Sequence, residues 1–225
     1  MIKQKTKKIT KYCKECGAGA IKNSTVCTEC GAELKTSNGM QFVSPIKNKE
    51  DIEKMKQYLK SKSLRNWALF TLGINSALRI SDLLNLTVNE VMDENRNIRD
   101  RIKVTEIKTS KKKTFPFSSK VKEALKEYID SERPIDALFP SQKGGKAITR
   151  VQAHEIIKSA ALAIDIKEQI ATHSMRKTWA YQAWEKGVPL TQISDALNHS
   201  KESITRRYLG LDQDSLDQVY LDMDL

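Results

Sequence analysis

Hydrophobic residues recur at helical spacing along most of the chain from residue 48 onward. The stretch NKEDIEKMKQYLKS places apolar side chains on one face, and Asn48 stands where a helix N-cap is expected. The members of that face are Ile52, Met55, Tyr58 and Leu59. The next two stretches, SLRNWALFTLGINSA and LRISDLLNL, predict a buried helix and then a short one.

Five more helices are predicted in the second half of the chain. The first is capped by Ser118 or Ser119, and a later one has Pro189 near its N1 position. The helix before Pro189 ends at Gly187, since glycine commonly follows a helix C-terminus. One of the five, TRVQAHEIIKSAALAI, is expected to pack through Val151, Ile156, Ile157 and Ala160.

The stretch RIKVTEIKTSKKKTFPFS has a different pattern. β-Formers flank a polar lysine-rich segment, which predicts a hairpin, and Pro116 assigns the second strand to a sheet edge. These β-formers are Val104, Ile107, Phe115 and Phe117. Because strands and helices do not alternate along the sequence, we predict a mainly helical α+β fold with a small antiparallel sheet.

The composition and net charge of the chain indicate what kind of partner it binds. The chain has 225 residues, 39% of them hydrophobic, and a formal net charge of +11. Residues 1–12 hold five lysines and no acid. Residues 209–225 hold five aspartates and no basic residue, so residues 1–208 carry +16. This surplus favours double-stranded DNA, because neutralised phosphates release counterions. The alternative is a lysine-rich composition that only maintains solubility.

The sequence also indicates in which cellular compartment the protein is found. No run of 18 apolar residues occurs, and the N-terminus lacks the apolar segment of a secretion signal. We therefore expect a cytoplasmic protein that does not contact a membrane.

All four cysteines lie in CKECGAGAIKNSTVCTEC, as two CxxC pairs separated by ten residues. Two such turns supply four thiolates in a tetrahedron, which suits a structural Zn²⁺ ion. Two disulfides are the alternative, which the expected compartment disfavours. The predicted ligands are Cys13, Cys16, Cys27 and Cys30.

The motifs of several enzyme classes are incomplete or absent in this sequence. His154 and Glu155 begin like a zinc-protease HExxH motif, but residue 158 is a lysine. KGGK lacks the P-loop spacing, and neither GxSxG nor an acidic cluster for two Mg²⁺ ions is found.

A scattered set of polar residues remains. Its members are Arg79, Lys108, His173, Arg176, His199 and Tyr208. Together they suit a phosphodiester: arginines clamp the phosphate oxygens, a tyrosine attacks, and lysine and histidine move protons. His173 and Arg176 lie three residues apart on a predicted helix and so share a face.

These residues and their flanks resemble the tyrosine recombinases of the phage integrase type. The order Arg, Lys, His-x-x-Arg, His, Tyr matches the six-residue signature of that family. SALRISDLLNL is similar to its first arginine box and ALNHSKESITRRYLG to its last, and the nine-residue step from His199 to Tyr208 also fits. The resemblance covers about residues 42–210, the whole catalytic domain.

The resemblance implies a role for each residue. Arg79 and Arg176 would bind the scissile phosphate, and His199 would hydrogen-bond it. His173 would handle the proton of Tyr208, the nucleophile that forms a 3′-phosphotyrosyl link. No metal or other cofactor is expected for this chemistry.

A lysine would protonate the 5′-oxygen that leaves. Lys108, Lys111, Lys112 and Lys113 all lie in the predicted hairpin, and the spacing after Glu-Ile favours Lys108. An acid three residues after the first arginine, here Asp82, is expected to brace the site.

The sequence departs from the family pattern at two places. Asn198 stands where relatives usually have glycine, and asparagine tolerates a positive φ. Relatives carry a helical core-binding domain before the catalytic one, whereas 44 residues precede it here. Three explanations stay open: the ribbon and basic tail take over its role, an accessory protein does so, or the protein is a reduced relative with limited activity.

The acidic C-terminal segment is expected to dock on a neighbouring protomer, giving a homo-oligomer, a tetramer on DNA. The alternative is a tail that frays or packs on its own basic surface. The predicted domains are a basic tail (1–12), a zinc ribbon (13–34), a linker (35–44), a catalytic domain (45–210) and an acidic tail (211–225).

We therefore predict a site-specific recombinase or integrase from a prokaryotic cell or phage, carried on a mobile element. Two alternatives stay open: a non-catalytic zinc-ribbon DNA-binding regulator on the same scaffold, and a type IB topoisomerase-like enzyme with the same chemistry.

Overall fold

The computed structural model describes residues 9–12, 19–21, 43–142, 144–199, 201–209, 211, 220, 221 and 223. The chain divides into two compact units, residues 1–42 and 43–225. In the first unit, β1 (Ile9–Tyr12) pairs antiparallel with β2 (Gly19–Ile21). All four cysteines of the predicted zinc ribbon lie outside the described residues, so the ribbon stays a prediction.

The second unit is mainly helical. Its described residues form nine helices and one two-stranded antiparallel sheet. They are α1 (Lys49–Lys62), α2 (Leu64–Ser76), α3 (Ile80–Leu84), α4 (Val88–Val91), β3 (Arg101–Thr105), β4 (Lys112–Pro116), α5 (Ser119–Glu132), α6 (Arg150–Ala163), α7 (Thr172–Glu185), α8 (Leu190–Ala196) and α9 (Glu202–Leu209). The predicted α+β class with a small sheet is confirmed for this unit. No helix in the described part of the chain has the length and apolar character needed to cross a bilayer.

The central element of this unit is α2. Its residues from Trp67 to Ile74 are all buried, and it packs against α1, α5 and α7. This is the buried helix that its nearly continuous apolar sequence predicts. The preceding helix begins as expected, because the Asn48 side chain accepts a hydrogen bond of 2.8 Å from the Glu50 amide.

A glycine sets the distance between α2 and α7. A Cβ atom at Gly73 would lie 2.6 Å from the Met175 sulfur and 3.3 Å from its Cβ. The bare backbone of Gly73 thus lets Met175 pack directly on α2. Because Arg176 follows Met175, this close packing also brings Arg176 to the C-terminal end of α2.

The predicted hairpin is present, with one error in its extent. The strands pair in register from Arg101 opposite Pro116 to Thr105 opposite Lys112. Ile107, expected in a strand, lies instead in the turn and is 56% exposed. The turn begins earlier because the Glu106 amide donates to the Lys111 carbonyl at 2.9 Å.

Three other differences are local. Helix α4 was not predicted, since four residues are too short to show a period; its signal is the capping box of Thr87 and Glu90. Val151 was wrongly placed in the core and is 71% exposed, because it lies in the first turn of α6. Pro189 is the N-cap of α8 and not its first residue.

The structure resolves which serine caps α5, and this can be tested. The Ser118 hydroxyl accepts from the Val121 amide at 3.4 Å, whereas Ser119 is the first helical residue. Ser118→Ala should lower the free energy of unfolding by about 1 kcal/mol. Ser119→Ala, the matched control, should change it by less than about 0.5 kcal/mol. Urea denaturation measures both, and equal losses would contradict the assignment.

Candidate active site

Five of the six residues predicted from the sequence come together at one place. The Tyr208 ring on α9 meets the rings of His173 and His199 edge-on, with centroids 5.4 and 5.3 Å away. Arg176 lies one turn from His173 on α7, and Arg79 caps the start of α3. The sixth residue, Lys108, lies exposed in the hairpin turn.

Arg176 is buried, with 2% of its surface exposed. Its Nη1 donates to the Ala77 carbonyl at 2.5 Å, and its Nη2 donates to the Leu197 carbonyl. These carbonyls belong to the C-caps of α2 and α8, where a cation is favourable because the helix dipole is negative. One guanidinium thus joins the ends of two helices and stays charged inside the protein.

A buried carboxylate, Glu106, faces both arginines. Its Oε2 lies 2.7 Å from Arg79 Nη1, and its Oε1 lies 3.9 Å from Arg176 Nη1. The Thr109 hydroxyl also donates to Oε2 at 2.8 Å. Burial raises the pKa of the Glu106 carboxyl, but hydrogen bonding by Thr109, Arg79 and Asn198, with the charge of Arg79, outweighs it and the pKa is lowered.

Asp82 fixes the hairpin to the site. Its side chain is 1% exposed, and its Oδ1 accepts from the Ile107 amide at 2.9 Å. The turn of the β3–β4 hairpin is therefore attached to α3, the helix that Arg79 begins. This is the bracing position expected for Asp82.

The Tyr208 hydroxyl is enclosed by protein and makes no regular hydrogen bond within the described residues. Burial raises its pKa; the charge of Arg176, near enough to act on the hydroxyl, and then that of Arg79 oppose the rise. The Lys177 ammonium lies 5.2 Å from the ring centroid and adds a further cation. The phenol is protonated at neutral pH, and the two guanidiniums offset part of the cost of placing a negative charge there.

Both histidines are held neutral. Burial lowers the pKa of His199 to about 4, helped by the charges of Arg176 and Arg79. His173 has a lowered pKa for the same two reasons, burial among the site residues first and then the charge of Arg176, although the residue as a whole is exposed. His199 Nδ1 lies 2.9 Å from the hydroxyl oxygen of Thr205, which is fully buried and fixes the orientation of the ring.

The turn before His199 has the backbone expected of it. Asn198 adopts a φ of 50°, the left-handed region that asparagine tolerates better than most residues. The prediction that asparagine can replace the usual glycine here is confirmed.

Two residues of the site were not selected from the sequence: Glu106 was missed, and Lys113 was named among the hairpin lysines but not favoured. Glu106 gives no signal, because an acidic residue beside a hairpin turn is ordinarily solvated. Lys113 does enter the site: its Nζ donates to the Ser76 carbonyl at 2.9 Å. The alternation of β4 could have identified Lys113, since it lies on the same face as Phe115.

Comparison with known proteins identifies the family. The model described as "Phage integrase family" matches residues 47–214. "Probable integrase/recombinase YoeC" of Bacillus subtilis strain 168 is 39% identical over 181 residues, which is 80% of this chain and 97% of YoeC. "Tyrosine recombinase XerD" of Corynebacterium glutamicum is 29% identical over 163 residues, 70% of this chain and 52% of XerD. The chain thus spans nearly all of one relative and about half of the other.

Solved structures share the fold. XerA recombinase aligns with a TM-score of 0.66 at 20% identity, over 81% of this chain and 66% of XerA. The post-cleavage complex of XerH bound to palindromic difH substrate aligns with a TM-score of 0.64 at 20% identity, over 92% of this chain and 60% of XerH. From the extent of the family match and its identity to YoeC, we conclude that the chain belongs to the phage integrase family and contains a tyrosine recombinase catalytic domain.

Proposed function

We propose that this protein cuts and rejoins DNA through a covalent 3′-phosphotyrosyl link to Tyr208. Its family and its relatives make it a tyrosine-type site-specific recombinase. The assignment of the chemistry to particular residues is our proposal. It rests on one observation: the enclosed hydroxyl of Tyr208 lies beside two neutral histidines and within the field of Arg176 and Arg79.

The two arginines would bind the scissile phosphate. Two main-chain carbonyls and its burial hold the Arg176 guanidinium in position. Arg79 is 19% exposed and so can meet a ligand from the solvent side. Their combined charge would stabilise the five-coordinate phosphorus of the transition state, where negative charge builds up.

His173 would accept the proton of Tyr208 as the phenol oxygen attacks phosphorus. A general base must be unprotonated, and the lowered pKa of His173 satisfies this at neutral pH. His199, oriented by Thr205, would hydrogen-bond a phosphate oxygen.

Cleavage releases a 5′-hydroxyl, and joining is the reverse reaction with a 5′-hydroxyl from another strand. A lysine of the β3–β4 hairpin would protonate the leaving oxygen. The phosphotyrosine conserves the energy of the broken bond, so the cycle as proposed uses neither a nucleotide nor a metal ion.

DNA is the partner that the family implies, and the XerH structure is described as bound to its difH substrate. We propose that the chain assembles as a tetramer on DNA, with residues 211–225 docked on a neighbour and an accessory protein supplying further DNA contacts. Recombination of this kind would serve a mobile element. The mass of the protein–DNA complex in solution decides the oligomeric state.

We also propose a structural Zn²⁺ ion held by Cys13, Cys16, Cys27 and Cys30. The proposal rests on the sequence, in which two CxxC pairs are separated by ten residues. Four thiolates at this spacing suit a tetrahedral zinc site. Metal binding would supply the folding energy that so small a unit lacks.

The nucleophile can be tested with a nicked suicide duplex that carries a bound sequence, selected from random DNA by the protein itself. Wild type should give a covalent protein–DNA band on a denaturing gel, because the nick lets the 5′-product diffuse away. Tyr208→Phe should bind the duplex with similar affinity yet give no band.

Tyr181→Phe is the matched control, because Tyr181 packs in the same apolar cluster as Tyr208 without facing the histidines. It should retain the band. A wild-type protein that binds the selected sequence tightly but never forms the band would favour the non-catalytic regulator instead.

The lowered histidine pKa values predict how stability depends on pH. Between about pH 6.5 and 4 the unfolded chain binds more protons than the folded one, so stability falls on acidification through this window. Moving from pH 7 to pH 5 should cost about 1–2 kcal/mol through His199.

Urea denaturation of wild type and His199→Gln at both pH values isolates this contribution. The variant should lose less stability on acidification, while carboxylates contribute equally to both proteins. His154→Gln, on α6, controls for loss of a histidine outside the site. Parallel losses in wild type and His199→Gln would contradict the prediction.

The zinc proposal has a selective readout. All three tryptophans lie in residues 43–225, at positions 67, 179 and 184. Purified protein should contain about one Zn²⁺ ion per chain, and a chelator should release it while tryptophan fluorescence stays unchanged. Cys27→Ser should lower the zinc content measured by mass spectrometry. Full zinc occupancy in that variant, or no thiols on titration, would overturn the proposal.

A further inference from the structure

We propose that the side-chain amide of Asn198 donates a hydrogen bond to a non-bridging oxygen of the scissile phosphate. This inference rests on the proposed function and adds a donor to it. A glycine, which relatives usually have at this position, has no side chain and cannot make the contact. The inference depends on where the turn before His199 directs the amide.

Asn198 lies between two residues of the site. The carbonyl of Leu197, which precedes it, accepts from Arg176 Nη2, and His199 follows it. The main-chain amide of Asn198 donates to the Asp195 carbonyl at 2.9 Å and so closes the turn at the end of α8. The Asn198 side chain therefore starts from a backbone that Arg176 helps to hold in place.

The side chain extends toward Glu106, the carboxylate that faces both arginines. Burial raises the pKa of the Glu106 carboxyl, but hydrogen bonds, one of them from the Asn198 side chain, lower it below its usual value. The same carboxylate lies 2.7 Å from Arg79 Nη1 and 3.9 Å from Arg176 Nη1. The amide thus lies close to the place where the two guanidiniums would hold a phosphate.

At least one amide hydrogen of Asn198 has no acceptor within the described residues. The Nδ2 atom is enclosed by protein and makes no regular hydrogen bond there. An amide nitrogen carries two hydrogens that point apart, so Glu106 can accept only one of them. Because a buried donor without an acceptor costs free energy, a partner is expected in the functional state.

The backbone of the turn does not require an asparagine. The φ of 50° at Asn198 lies in the left-handed region, which glycine adopts without strain. Asparagine only tolerates this φ, and it brings a buried amide whose hydrogens are not all bonded. In the free protein the side chain therefore has two costs that glycine would avoid, and its gain is expected in the complex with substrate.

A phosphate oxygen is the acceptor that fits this place. Arg79 and Arg176 would hold the phosphate beside the amide, and its non-bridging oxygens gain negative charge as Tyr208 attacks. A donor that is already oriented stabilises this charge without reorganising. Because the amide is neutral, it adds a hydrogen bond without adding a third positive charge beside the two guanidiniums.

Asn198→Gly tests the contact, because glycine fits the turn and only the side chain is lost. The variant should form the covalent complex with the nicked suicide duplex roughly 10-fold or more slowly than wild type in a single turnover. Its urea midpoint should stay close to wild type, since the change also relieves the φ. Asn95→Gly, in the exposed turn between α4 and β3, is the matched control and should react at the wild-type rate.

Sulfur in the substrate identifies the oxygen that Asn198 contacts. The scissile phosphate, mapped from the wild-type cleavage product, is prepared as two phosphorothioate isomers, each with a different non-bridging oxygen replaced by sulfur. Sulfur accepts hydrogen bonds weakly. On one isomer the rate loss caused by sulfur should be several-fold smaller in Asn198→Gly than in wild type, because both changes remove the same hydrogen bond. On the other isomer the loss should be equal in the two proteins.

A second variant separates the contact from stability. Asn198→Ala also removes the amide, but alanine is strained at a positive φ, so the urea midpoint of this variant should fall. Its sulfur effects should nevertheless match those of Asn198→Gly on both isomers, because they report only on the lost hydrogen bond.

Each outcome decides the matter. A change in the sulfur effect on one isomer only, seen in both variants, supports the contact. Sulfur effects that equal wild type on both isomers, or that change equally on both, overturn it, while a wild-type covalent complex leaves the proposed function intact. Wild type that forms no covalent complex with any duplex overturns the proposed function, and the contact with it.

Discussion

The buried guanidinium of Arg176 is the contact on which the rest of the site depends. It holds the carbonyl ends of α2 and α8 together, so the turn that carries Asn198 and His199 starts from a fixed point. It also sets the electrostatic field of the site, since it helps to keep the histidines neutral and opposes the rise in the tyrosine pKa. A single cation therefore contributes both to the geometry of the site and, after burial, to its protonation states.

The carboxylate of Glu106 is the counter-ion to the positive charge of Arg176 and Arg79. Without an anion, two guanidiniums in a buried place would repel each other and α3 would be pushed from α7. The carboxylate, attached to the end of β3, removes that strain and ties the hairpin to the arginines. Asp82 attaches the hairpin a second time through the Ile107 amide, and Lys113 of the same hairpin reaches the Ser76 carbonyl.

Much of this arrangement could be read from the sequence, and the failures have physical causes. The helices show their period, and the nine-residue step from His199 to Tyr208 is short enough to be a local property of one turn and one helix. Glu106 could not be found, because its partners lie on distant parts of the chain and no pattern links them. The choice of Lys108 among the hairpin lysines stays a prediction, and the alternation of β4 directs a second lysine, Lys113, inward. Nothing in the described residues bears on the cysteines.

Arg176 donates to main-chain oxygens, and this determines which amino-acid substitutions the site tolerates. Amino-acid replacement at Ala77 or Leu197 alters the side chain but leaves the acceptor oxygen in place. The hydrogen bonds of Arg176 therefore do not depend on which side chains stand at these two positions. One limit applies at Ala77, whose φ of 53° is in the left-handed region and favours a small or flexible residue. Surface residues that contact DNA can therefore be replaced, and the target sequence can change, while main-chain acceptors keep Arg176 in its place.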